Sequence, residues 1–77
     1  MKNVTIYTTP TCGFCHMAKN WMKEKGINYE EIDVSTNPSA AQEMVSKSGQ
    51  MGVPVIDVEG DITVGFDRPK LEQILLG

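Results

Sequence analysis

A chain of 77 residues holds one domain and, at that size, lies near the lower limit for folding on a single core without disulfide or metal staples. Apolar residues at 40% and charged residues at 22% belong to an ordinary globular protein and exclude both a disordered chain and one embedded in a bilayer. The net charge of -3, with no basic stripe, excludes nucleic acid as a partner, because no array of cations exists to displace counterions from a phosphate backbone.

The N-terminus, Met1-Lys2-Asn3-Val4-Thr5-Ile6, alternates apolar with polar and lacks the unbroken apolar run of a signal peptide, so the chain is expected to stay in the cytoplasm. From Asn3 to Thr8, Val4 and Ile6 fall on one face and Thr5 and Tyr7 on the other, with β-branched and aromatic types throughout, which predicts a strand. The strand stops at Pro10, and a helix is predicted from Gly13 to about Lys25. Phe14, Met17, Ala18, Trp21 and Met22 recur there at helical spacing as core candidates, and Gly26 closes the helix. Lys19, Lys23 and Lys25 read as its solvated face.

The strand-to-helix turn carries both cysteines of the chain, Cys12 and Cys15. In a reducing compartment such a short spacing points to catalysis or metal binding rather than to a structural disulfide. Cys12 sits where the helix begins, and there the unpaired amides and the macrodipole favour negative charge. Cys12 is therefore expected to be the thiolate and nucleophile. Cys15, one turn further in, is within reach of the Cys12 sulfur but shielded by the helix, and is expected to be the resolving thiol. Such a pair attacks a disulfide, holds it as a mixed disulfide, and releases the reduced product by closing Cys12 to Cys15. His16 reads as an ordinary exposed residue of the first turn, and Tyr7 as strand packing.

Asn28 to Val34 predicts a second strand, Ile32 and Val34 inward, with Glu30, Glu31 and Asp33 marking a partly exposed edge. Strand, helix, strand over this length predicts a right-handed parallel crossover. Ser35-Thr36-Asn37-Pro38 supplies an N-cap and a first-turn proline for a second helix, which carries Ala41, Met44 and Val45 and ends at Gly49. Val53 to Val58 is a dense β-branched run, and Glu59-Gly60 turns it into Asp61-Ile62-Thr63-Val64 as an antiparallel hairpin. Asp67 caps a last helix, with Pro69 in its first turn and Leu71, Ile74 and Leu75 facing the core.

The order β-α-β-α-β-β-α, with the cysteine pair at the first strand-to-helix turn, resembles the thioredoxin fold: an α/β protein with a four-stranded mixed sheet flanked by three helices. Within that superfamily the chain is similar to the glutaredoxins over residues 3 to 75. Three motifs carry the likeness: Tyr7-Thr8-x-x-Thr11-Cys12-Gly13-Phe14-Cys15, then Val53-Pro54, then Gly65-Phe66-Asp67. The resemblance implies a thiol-disulfide oxidoreductase with catalytic Cys12 and Cys15. It also implies a groove for substrate or glutathione built from Thr11, Phe14, Val53, Pro54, Gly65, Phe66, Asp67 and Arg68. Further, it implies a cis Pro54, a Val53 backbone that pairs with the bound thiol substrate as an added strand, and no bound metal or organic cofactor. Glutathione is the implied co-substrate, disulfide-containing proteins are the implied partners, and the expected state is a monomer.

The chain departs from that pattern in places. Glutathione-using members generally carry a lysine a few positions before the first cysteine, where this chain has Thr9. They also show threonine before Val-Pro, where it has Gly52, and a Gly-Gly pair, where it has Val64-Gly65. Asp67 does match the acidic residue that meets the γ-glutamyl end of glutathione, and Arg68 is a candidate substitute for the missing lysine. Gly65-Phe66 followed by Arg68-Pro69-Lys70-Leu71 also resembles the small redoxins that take electrons from thioredoxin reductase and pass them to ribonucleotide reductase, so thioredoxin reductase is a second candidate partner. Cys12-Gly13-Phe14 matches the start of the motif of cluster-carrying monothiol glutaredoxins, but Cys15 replaces the serine and favours dithiol exchange.

Two other chemistries fit the same residues. Cys12-Gly13-Phe14-Cys15-His16 satisfies the spacing for covalent haem, against which stands the lack of an export signal. Metal or iron-sulfur binding through Cys12 and Cys15, with His16 as a third ligand where the metal is zinc, is the non-enzyme alternative; a closed zinc site needs four ligands and hence a second chain.

Overall fold

The computed structural model describes residues 3–76. Four strands and three helices follow one another as β1 (Val4–Thr8), α1 (Gly13–Glu24), β2 (Glu30–Asp33), α2 (Pro38–Ser48), β3 (Val55–Val58), β4 (Asp61–Val64) and α3 (Arg68–Leu75). The sheet runs β2-β1-β3-β4. β1 pairs parallel with β2 and antiparallel with β3, and β3 pairs antiparallel with β4. This is the thioredoxin fold in the predicted order.

Local chemistry sets the boundaries. Helix α1 ends in a left-handed Gly26 (φ 69°), where Ile27 N donates to Met22 O at 2.9 Å and Gly26 N to Lys23 O at 3.2 Å, so the last carbonyls are not left bare. Asn37 caps α2 by accepting from Ala40 N at 3.1 Å, and Asp67 caps α3 by accepting from Lys70 N at 3.3 Å. The β3–β4 turn places both Glu59 (φ 49°) and Gly60 (φ 98°) in the left-handed region, as a two-residue hairpin requires.

The alternation of β1 divides the core in two. Val4 and Ile6 pack with Ile56 and Val58 of β3 against Ala18, Trp21 and Met22 of α1 and Leu71 of α3, and Ile74 and Leu75 complete that layer. Tyr7 and Val55 face the opposite side, against Ala40 and Met44 of α2, with Ile32, Val34 and Val45 alongside. Burial of these apolar side chains is the main favourable term for a domain this small.

Some expectations are corrected. Met17 is 52% exposed and is not core: it lies roughly 160° around the helix from the buried Cys15, outside the arc that meets the sheet. Lys19 is not a solvated side chain, being ion-paired to Glu31 at 2.9 Å and 16% exposed. On α2 the buried alanine is Ala40, with Ala41 only half-buried. The second and third strands are shorter than predicted: Asn28, Tyr29 and Val34 flank β2, and Val53 and Pro54 precede β3 as loop.

Candidate active site

The loop between β1 and α1 delivers Cys12 as the N-cap of α1, with extended backbone (φ -86°, ψ 110°). In that position its side chain takes the role of the capping oxygen: Cys15 N donates to Cys12 Sγ at 3.1 Å. An amide aimed at sulfur at the positive end of a helix is the arrangement that stabilises a thiolate. On its other side Cys12 Sγ lies 3.7 Å from Val53 O, the carbonyl that a protonated sulfur would donate to. His16 is exposed, with Nε2 3.2 Å from Pro10 O.

The two cysteines differ sharply in environment. Cys12 is partly accessible, while Cys15 is fully buried, and both are free. Burial, followed by its hydrogen bond to Cys12, pushes the Cys15 thiol up to about 12, against the opposing pull of the Thr9 backbone and the Lys19 ammonium. The Cys12 sulfur is thus the accessible one of the pair, and burial holds the Cys15 sulfur as a thiol.

A groove of about 570 Å³ opens beside Cys12. Its lining joins Phe14, Val53, Pro54, Gly65, Phe66, Asp67 and Arg68 with Val64 and Pro69. The Val53–Pro54 peptide is cis. Gly65 N donates to Pro54 O at 2.8 Å, with Gly65 at φ 78°, so the proline loop is tied to the corner between β4 and α3 at a conformation that glycine adopts without strain. Phe66 reaches from the groove to Trp21, ring centroids 6.3 Å apart, and couples the groove wall to the core. Phe14 stands 63% exposed at the rim.

Of the residues expected in the groove, Thr11 alone does not line it; it is exposed in the turn next to Cys12. Val64 and Pro69 were not foreseen. Arg68 lines the groove, but its Nε bonds Glu72 Oε1 at 3.0 Å, one helical turn on. Behind the cysteines a polar group that the sequence reading missed joins Thr8, Lys19 and Glu31: Thr8 Oγ1 and Lys19 Nζ both donate to Glu31 Oε2 at 2.9 Å. The i,i+4 spacing of Cys15 and Lys19 was the available signal. Among the described residues no cluster of three or more His, Cys, Asp or Glu side chains is placed to hold a metal ion, and no helix is long and apolar enough to cross a membrane.

Comparisons with known proteins agree with this geometry. The glutaredoxin family model matches residues 4–63. A glutaredoxin-like 8.6 kDa protein in the rubredoxin operon of Clostridium pasteurianum is 38% identical over 72 residues, covering 94% of this chain and 96% of that one. Glutaredoxin 3 of Escherichia coli is 37% identical over 67 residues, covering 87% and 81%. Among solved structures, the glutaredoxin-like NrdH-redoxin from Escherichia coli, described as having a thioredoxin-like activity profile, superposes with a TM-score of 0.83 at 33% identity over 95% of this chain and 93% of its own. With an N-capping Cys12, a buried Cys15 and a cis-proline groove between them and α3, the chain belongs to the glutaredoxin family of thiol-disulfide oxidoreductases.

Proposed function

We propose that the protein reduces protein disulfides and glutathione mixed disulfides through its own dithiol, with glutathione returning the electrons. The observation that carries the reading is the unequal placement of the two sulfurs: Cys12 Sγ at the groove with the Cys15 amide 3.1 Å away, and Cys15 buried behind it. The Cys12 thiolate attacks a substrate disulfide, one substrate thiolate leaves, and a mixed disulfide remains on Cys12. Cys15 then attacks the Cys12 sulfur, the second substrate thiol leaves, and the Cys12–Cys15 disulfide carries the oxidation. Two external thiols restore the dithiol. The Val53 backbone takes the substrate chain as an added strand, and Phe14, Val64 and Phe66 supply its apolar walls. For glutathione, Asp67 at the start of α3 offers a carboxylate to the α-amino group. No bound cofactor is needed for any step, and the protein works as a cytoplasmic monomer.

A second reading has a specific observation in its favour. Thr9 offers no cation, and Arg68, the substitute, already spends its Nε on Glu72. A site short of cations for the two carboxylates of glutathione suits a redoxin that is reduced by thioredoxin reductase, and the NrdH-redoxin likeness points the same way. An NADPH-coupled assay, run in parallel with glutathione plus its reductase and with thioredoxin reductase alone, decides. Turnover in the first arm, with weak saturation by glutathione, is expected; turnover in the second arm alone replaces glutathione with thioredoxin reductase as the electron donor.

A further inference from the structure

The mixed-disulfide stage puts a demand on Cys15 that the groove does not meet. To attack Cys12, Cys15 has to lose its proton in a fully buried site, where its charged form is poorly solvated. Among the described residues, the cation that acts on that thiol is a lysine of the same helix. Lys19 lies one turn beyond Cys15 on α1 and is only 16% exposed, whereas the other lysines of the helix, Lys23 and Lys25, face water. Its position is fixed from β2 and β1: Glu31 Oε2 accepts from Lys19 Nζ at 2.9 Å and from Thr8 Oγ1 at 2.9 Å, and Thr8 is itself fully buried. Thr8 directly precedes Thr9, the backbone of which, like Lys19, acts to lower the Cys15 thiol.

We propose that Lys19, anchored by Glu31 and Thr8, is a positioning residue for the resolving step, its ammonium stabilising the Cys15 thiolate as that sulfur attacks the mixed disulfide on Cys12. The inference rests on the disulfide-exchange reading above and deepens it. The step balances: the Cys15 proton passes to solvent, the Cys15–Cys12 bond forms, the bond from Cys12 to the substrate sulfur breaks, and the substrate leaves as thiolate with the electron pair. Other charges around Cys15 do not take this role. Cys12 opposes ionisation of its neighbour, and of the ion pair it is Lys19 that favours the Cys15 thiolate. His16 acts on Glu31, and Tyr29 acts on Lys19. Asp57, Lys47 and Glu43 are bound to one another and to Tyr7 on the opposite face of the sheet. Asp67 and Arg68 belong to the groove.

The test is stopped-flow reaction of the reduced protein with dithiobis(nitrobenzoate), which releases nitrothiobenzoate twice, first as Cys12 attacks and then as Cys15 resolves. In Lys19→Met the first phase is expected to match the parent, while the second slows by about three- to tenfold near neutral pH and its inflection moves to higher pH. Lys19→Arg, which keeps the charge, is expected to restore both rate and inflection. Lys19→Gln gives the same reading as Lys19→Met if the methionine variant does not fold. A second phase with the parent's rate and pH profile in the uncharged variants overturns this inference alone. A parent protein that shows no second phase overturns the dithiol reading, and this inference with it.

Discussion

Two lysines, one on each side of the sheet, are built from the same chemical parts and do different work. Lys19 on α1 binds Glu31 of β2 beside a buried thiol. Lys47 on α2 binds Glu43 at 3.0 Å, Asp57 of β3 at 2.8 Å and the hydroxyl of the buried Tyr7 at 2.9 Å, with no reacting group nearby. The second set pins α2 to β1 and β3 through the one polar atom that Tyr7 brings into the core. The first sets its lysine one helical turn from a buried sulfur. The pairing of an ammonium with a strand carboxylate therefore says little about role; what the ammonium faces next decides between scaffold and chemistry.

The comparison breaks most completely at the cysteines. Cys12→Ser is expected to abolish all exchange, while Cys15→Ser spares part of the deglutathionylating activity, because a second glutathione clears a glutathione adduct from Cys12 without an internal thiol. Parallel assays with a glutathionylated peptide and a protein disulfide check this; activity in Cys12→Ser on either substrate reverses the assignment of roles. Neither variant removes a part of the Lys47 set, and Cys12→Ser, which keeps a capping atom at the start of α1, is expected to unfold at nearly the parent denaturant midpoint.

On the other face the loss is expected in stability. Lys47→Met leaves the Asp57 carboxylate, 14% exposed, without its cation and is expected to cost about 2 kcal/mol; Tyr7→Phe, which removes one hydroxyl, about 1 kcal/mol. Urea midpoints measure the cost. The rate at which Cys12 reacts with an alkylating agent is expected to stay at the parent value in both, and a marked change would mean that the two faces are not independent.

How much of this the sequence shows depends on how local the cause is. The caps at Asn37 and Asp67, the glycines at 26 and 49 and the hairpin turn at Glu59-Gly60 act over a few residues, and each stands where the sequence places it. Strand ends are set by neighbours: β1 offers β2 only Thr5 to Thr8, so pairing runs over Glu30 to Asp33 and not the whole stretch from Asn28 to Val34. Met17 keeps the helical spacing of Phe14 and Trp21, but the sheet covers a narrower arc of α1 than the apolar residues offer. The cysteine pair and most of the groove were legible because their motifs are short. The Tyr7 to Lys47 bond spans forty positions, and only the packing of α2 on the sheet brings those side chains together.

The same two faces separate on a pH axis. Burial alone would raise Asp57, but the Lys47 ammonium and the Gly60 amide hold it below the usual carboxylate range, and Lys47 with Tyr7 does the same for Glu43. A carboxylate held low when folded contributes stability that is present above its unfolded pKa, near 4, and is lost as pH falls through the folded value. Lys47 is held above its usual value by Asp57 first, so its contribution is present below about pH 10 and is lost on going higher. In acid, as the pH falls below about 4, the parent is expected to lose more of its stability than Lys47→Met. Urea midpoints across that window are the measurement; parallel acid limbs would mean that the Lys47 set carries no linked protons.

The smallest expected effect sharpens the boundary of the reactive face. Met17 follows Phe14 by three positions on α1, and the two are 52% and 63% exposed, so the outward side of the helix beside Cys12 is apolar without being core. Met17→Ala removes a side chain that buries little surface on folding and replaces it with the best helix former. The stability change is expected to stay within about 0.5 kcal/mol, far from the roughly 2 to 5 kcal/mol that truncating a buried methionine costs. Met22→Ala, on the same helix but fully buried against Ile6 and Ile56, supplies that second value. Comparable losses in the two variants would place Met17 in the core after all, turn α1 by about a third of a revolution and carry Lys19 away from Glu31 on β2.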